Sequence, residues 1–233
     1  MAEAALVVTD DVKNLPAHVK NATGRGNEAL NANNLIVPRL KQIQSISAER
    51  DKHSPKFIAG ADEGMFFNSA TGELYPEEIS LVSLKFQESH VIWAKRGTPL
   101  AGAPKGSYTS AADAEAAMSE MPDNKDLYVQ ETHDNLVLLA LRDKKNALTG
   151  VFTDPMVFSM ASSKLKTSRR WNSLANSRQG DRFSTLYTVK SVRADGKMGT
   201  YQVIDIDVEG WLPDSMYEIA EAKYDEFLNV SFS

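Results

Sequence analysis

The apolar positions of the chain fall mainly in short runs that alternate with polar residues, the period-two signature of half-buried strands. Gly64–Asn68 (GMFFN) reads as a first strand, Ser69–Glu73 as a turn, and Leu74-Tyr75 as its return. Ile79–Phe86 is a second apolar, β-rich run. Ser89–Ala94 (SHVIWA) resumes it after a polar break at Gln87-Glu88. Leu127–Thr132 and Asn135–Arg142 read as a strand pair joined at His133-Asp134. Phe183–Val192 and Thr200–Val208 form a hairpin about the turn Ala194-Asp195-Gly196-Lys197, with Asp205 and Asp207 on one face of the returning strand.

Helical signals are fewer. Leu40, Ile43 and Ile46 are spaced by three, as on a short helix or a twisted extended segment. Ala111–Met121 is rich in Ala and Glu and stops before Pro122. Ser162–Arg182 reads as a helix capped by Ser162 or Ser163 and closed by Gly180. Pro213 and Asp214 open a last helix through about Leu228. Gly97–Gly106, with three glycines and two prolines, is a loop. Many short strands, a few helices and no βαβ alternation make the fold class mainly β with inserted helices (α+β). The expected architecture is an OB-like antiparallel β-barrel with a C-terminal helix. Residues 1–25 read as a flexible N-terminal segment, 26–210 as the OB-like domain, and 211–233 as an acidic C-terminal helix and tail.

Composition narrows the function classes. The 233 residues include no cysteine, which removes disulfides and thiolate metal sites and fits a reducing, intracellular setting. No run approaches the length of a membrane span, and MAEAALVVTDDVKN does not read as a signal peptide. The formal charge is -5, yet Ser162–Arg182 carries Lys164, Lys166, Arg169, Arg170, Arg178 and Arg182 against Asp181 alone, with Trp171 at its centre. Asp205–Glu226 then carries eight acids against Lys223. Such an acidic segment can compete with nucleic acid for a basic groove.

Catalytic constellations do not emerge. His18, His53, His90 and His133 have no HxH or HxxxH spacing, so a zinc site is not expected. GxSxG, GxxxxGK[ST] and GxGxxG do not occur. Asp205 and Asp207 lack a third acid of known position for magnesium. The chain therefore reads as a non-enzyme without cofactor or metal. Aromatics beside cations point instead to phosphate contact and base stacking. They are Trp93 with Lys95 and Arg96, Trp171 with Arg169 and Arg170, Tyr187 with Lys190, and Tyr108 near Lys105.

The segments LIVPRLKQIQSIS (35–47), MFFNSATGELY (65–75), SHVIWAKR (89–96), SSKLKTSRRWNSL (162–174) and LYTVKSVRADGKMGTYQVIDIDVEG (186–210), in that order, resemble bacteriophage single-stranded-DNA-binding proteins of the replication and recombination type. The resemblance implies an OB-type fold that coats single strands without sequence choice, in the cytoplasm of the host cell. The expected interface is Trp93, Lys95, Arg96, Lys164, Lys166, Arg169, Arg170, Trp171, Arg178, Arg182 and Tyr187. Single-stranded DNA is the expected partner, and phage or host replication proteins could be met through the acidic C-terminal region; no membrane is involved. The alternative is a phage structural or interaction protein whose basic helix docks an acidic partner.

Overall fold

Alternating patterning becomes two antiparallel sheets in the computed structural model, which describes residues 37–99, 102, 104–196 and 199–230. The expectation of a flexible segment over residues 1–25 lies outside these. The small sheet joins β1 (Leu40–Gln42), β2 (Phe66–Asn68) and β3 (Leu74–Tyr75) in that order. The large sheet has seven strands: β4 (Glu78–Ala94), β5 (Gly106–Tyr108), β6 (Leu127–Arg142), β7 (Leu148–Phe152), β8 (Met156–Ala161), β9 (Thr185–Gly196) and β10 (Gly199–Trp211). Its path runs β10-β9-β4-β6-β7, with β5 paired to the far part of β4 and β8 to the middle of β6. Among the described residues three α-helices are inserted: α1 (Ala111–Glu120), α2 (Leu165–Ser177) and α3 (Asp214–Glu226).

The spine of the sheet is the β4–β6 ladder, continuous from Ser80 opposite Ala140 to Ala94 opposite Leu127, with one bulge between Ser83 and Lys85. This corrects two sequence expectations. Neither Gln87-Glu88 nor His133-Asp134 breaks a strand; they pair with each other as Gln87↔Asp134 and Glu88↔His133. A polar run survives in mid-strand because the oxygens of its buried members find partners, though among the described residues the Asn135 amide nitrogen has none. Asp134 accepts from the hydroxyls of Ser159 and Ser89, and the Arg39 guanidinium lies 3.6 Å away. Asn135 Oδ1 accepts from Arg182 at 2.9 Å and Ser83 at 3.3 Å. His133 Nδ1 meets Ser168 Oγ of α2 at 2.9 Å.

The main core lies between the two sheets and α2. Phe66, Leu81, Leu139, Phe158, Trp171, Tyr187 and Ile206 are all buried in it. Trp171 and Tyr187 meet edge to face, with centroids 5.5 Å apart. A satellite core under α1 joins Ile92, Ala94, Ala114 and Leu127. Of the two readings of the Leu40–Ile46 spacing, Leu40–Gln42 takes the extended one. Two boundaries move. The last hairpin stays paired as far as Gly196 opposite Gly199, beyond the expected strand ends at Val192 and Thr200. Finally, α2 begins at Leu165 after a 3-10 turn, and Ser162, at φ 53°, accepts a hydrogen bond from Gln130 instead of capping the helix.

The backbone ladders do not close into a barrel. β1 reaches β8 through a bridge between Arg39 and Val157, but faces β10 only with side chains. There Gln44 behaves like a strand residue. Its amide nitrogen donates to Gln202 O at 3.1 Å, and its amide oxygen accepts from Gln202 N at 3.0 Å. Gln42 donates to Val203 O at 3.1 Å beside it.

This seam predicts that Gln44→Met, which keeps the length of the side chain and removes its two hydrogen bonds to Gln202 and the one to Gln42, lowers stability by about 1–3 kcal/mol. Thermal unfolding followed by circular dichroism should show Tm lowered by a few degrees. An unchanged Tm would mean that the seam contributes nothing to closing the sheet.

Candidate nucleic-acid interface

The cations of the 162–182 segment are brought to α2 and its flanks, but most are already engaged. Arg169 donates from one Nη to both carboxylate oxygens of Glu131 on β6, at 2.8 and 3.0 Å. Arg170 spans Asp205 and Asp207 of β10, 2.6 Å from each. The alternation of β10 makes this clamp, because Ile204 and Ile206 turn inward and leave the two acids together on the outer face. Arg182 is turned inward, donating to Ser83, Asn135 and Asn172 at 2.7–2.9 Å, and burial lowers its proton affinity. Lys164 lies against Gln42, its pKa also lowered by burial. Arg178 stacks 3.8 Å over the ring of Trp211. Lys166 is exposed with no ion pair among the described residues.

Two of the expected stacking residues are corrected outright. Trp171 and Tyr187 are 0% exposed, so no base can reach either ring. The apolar spacing of α2 explains this: Trp171 and Leu174 share the face that packs on the sheet. The acidic C-terminal helix does not cover α2. Instead α3 stacks Tyr217 and Tyr224 on Phe183, and Tyr217 donates to Asp181 at 2.6 Å. The acids that do neutralise α2 come from β6 and β10.

The other expected group lies at the far end of the β4–β6 ladder. Trp93 is half-buried near the end of β4 and stands directly opposite Tyr128 of β6, 40% exposed, so the two rings share one face. Lys95 and Arg96 follow, both exposed. Lys95 donates through its main chain to Asp126 O and through Nζ to Lys125 O. That brings exposed Lys125 to the same end of the sheet. Lys105 N donates to Ile92 O and adds a fourth cation. Sequence reasoning singled out Lys105 beside Tyr108 but missed Lys125 and Tyr128, because only the register of β5 and β6 against β4 collects these residues. It also missed Trp211, 56% exposed under Arg178.

A second cluster lies on the opposite face of the same ladder. Glu88, Glu131 and His133 hold ligand atoms within 4.8 Å of one another. On the far half of the sheet, a hollow of about 720 Å³ is walled by Tyr75, Ile79, Leu141 and the Arg142–Glu209 pair.

A largely antiparallel β-protein with a basic, aromatic strand end is the class that these features define. The chain belongs to the Pam3 phage gp34-like protein family, whose model matches residues 8–231, and it is therefore a phage protein. No curated protein and no solved structure matches it. Among the described residues no helix is long and apolar enough to cross a membrane.

The Arg169–Glu131 pair generates a pH prediction. Burial pushes the Glu131 carboxyl upward, but the hydrogen bonds and charge of Arg169, then those of His133, outweigh it and hold it below the usual carboxylate range. A depressed folded-state pKa gives stability that is present above the unfolded value, about 4.3, and is lost as pH falls through the folded one. The Tm gap between the native chain and Glu131→Gln should therefore be widest near neutrality and close below about pH 4. A gap independent of pH would show that the carboxylate charge does not contribute.

Proposed function

We propose that the chain binds single-stranded DNA without sequence choice and serves phage replication or recombination as a binding protein, not as an enzyme. The observation that carries this reading is the Trp93–Tyr128 pair flanked by Lys95, Arg96, Lys105 and Lys125 at one end of the β4–β6 ladder. Exposed ring faces accept any base, and cations without carboxylate partners are available to phosphate. In this reading the binding surface is the end of the ladder, and α2 contributes Lys166 and the Arg178–Trp211 stack rather than a wall of six cations. The sheet is read as an OB-like barrel whose last seam is closed by Gln42 and Gln44. The host cytoplasm is the expected setting, and the outer acids of α3 are the surface offered to a replication partner.

Fluorescence anisotropy with labelled oligo-dT of ~30 nucleotides should show binding at low salt. Truncating Trp93 to Ala should cost about 1–3 kcal/mol, roughly five- to hundredfold in Kd. The Lys95→Ala, Arg96→Ala double variant should reduce the salt slope by about 0.7 for each phosphate that it leaves without a cation. No binding at low salt would overturn the proposal. Full binding by both variants, abolished instead by Lys166→Ala, would move the surface to α2.

A further inference from the structure

Two copies of the pattern Glu-x-His face each other across the β4–β6 ladder. Glu88-Ser89-His90 lies on β4 and Glu131-Thr132-His133 on β6, and the antiparallel register sets Glu88 opposite His133 and His90 opposite Glu131. Period-two alternation puts all four side chains on one face of the sheet. His133 Nε2 lies 2.9 Å from Glu131 Oε1 and 3.9 Å from Glu88 Oε2, and His90 Nε2 lies 3.8 Å from Glu88 Oε1.

We propose that these four residues form a site for a first-row divalent transition metal of the zinc class, with Glu88, Glu131 and His133 as the central donors and His90 as the fourth. Glu88, Glu131 and His133 already hold ligand atoms within 4.8 Å of one another, while His90, 3.8 Å from Glu88, stands outside that group and turns in as the fourth donor; two imidazoles and two carboxylates suit Zn²⁺ and its neighbours and fill a tetrahedral shell. The His133 ring is oriented as a ligand requires. The Nδ1 of buried His133 is occupied by Ser168 Oγ at 2.9 Å, which directs Nε2 toward the carboxylates, as an outer-shell partner does. The Nδ1 of His90 is buried without a hydrogen-bond partner, so the ring meets its polar neighbours through Nε2, beside Glu88. Phe86 packs edge-on against His133 and gives one side an apolar wall. Glu88 is the exposed member, leaving an entry path from solvent.

Arg169 is the internal competitor. Its guanidinium supplies the positive charge at Glu131 and must yield at least one carboxylate oxygen to a bound metal. The competition separates a metal site from a merely structural cluster, since removing the cation should tighten metal binding while it weakens the ion pair.

The test is a titration of the full chain, without DNA, with Zn²⁺ by calorimetry and with Co²⁺ by visible absorption. One metal per chain is expected, and Co²⁺ should give the intense bands of a tetrahedral site. Glu88→Gln and His90→Ala should each weaken binding about tenfold or more, and Arg169→Ala should strengthen it severalfold. Both Glu88 and His90 lie outside the fully buried core, and circular dichroism of the variants confirms that the fold is kept. His133 stays unaltered because it is packed under α2. Absence of saturable one-to-one binding, or binding unchanged in either weakening variant, overturns the assignment.

Discussion

The antiparallel register of β4 against β6 is the constraint on which the rest of this molecule depends. The ladder runs from Ser80 to Ala94 along β4, and every feature with chemical interest is a consequence of who faces whom across it. One face carries Trp93 and Tyr128. The opposite face carries the two Glu-x-His segments and, beyond them, the satellite core under α1. A slip of one residue would exchange these faces and bury the charged set. The slip is opposed at mid-ladder by Asp134 and Asn135, whose buried oxygens are matched to Ser159, Ser89, Arg182 and Ser83 from three different segments. Leaving any of these buried oxygens unpartnered costs about 1–3 kcal/mol, more for the carboxylate, so the polar run fixes the register more sharply than apolar packing could.

That same polar run is why the strands are only partly legible in the sequence. Apolar alternation identifies Ile79–Phe86, Ser89–Ala94, Asn135–Arg142 and the last hairpin, and the described elements contain all of them. It also sets a turn at His133-Asp134, because a histidine and an aspartate side by side ordinarily mark a solvated loop. Their partners, Arg39, Ser159 and Ser168, lie 25 to 95 positions away along the chain, and no local pattern announces them. The same limit applies to closure. Strand count and turn chemistry suggest a barrel, but whether β1 meets β10 by backbone or by side chain depends on Gln42 and Gln44, which read locally as ordinary polar residues.

The candidate site shows the complementary failure. Residue types alone make Ser162–Arg182 the centre of attention, since six cations and a tryptophan in one segment are visible without any structure. The acids that answer them are visible too, yet not as partners. Asp205 and Asp207 become a clamp on Arg170 only because β10 runs beneath α2 with its isoleucines turned inward. Trp171 follows the same logic, belonging to the helix face that the amphipathic spacing sends into the core.

Cation density and cation availability are therefore different quantities, and only the second bears on binding. Exposed ion pairs are individually weak, about 0–1 kcal/mol, so Arg169 and Arg170 are not locked away from a polyanion by energy alone. What they lose is advantage: a phosphate that recruits Arg170 must leave Asp205 and Asp207 facing it, and the repulsion of those acids offsets the gain. Among the described residues, Lys95, Arg96, Lys105 and Lys125 carry no such penalty from a paired carboxylate, and they stand beside half-buried Trp93 and exposed Tyr128. The fold thus sorts two basic regions of similar composition by the acids that it sets against them, and this sorting is what moves the proposed binding surface from the helix to the end of the ladder.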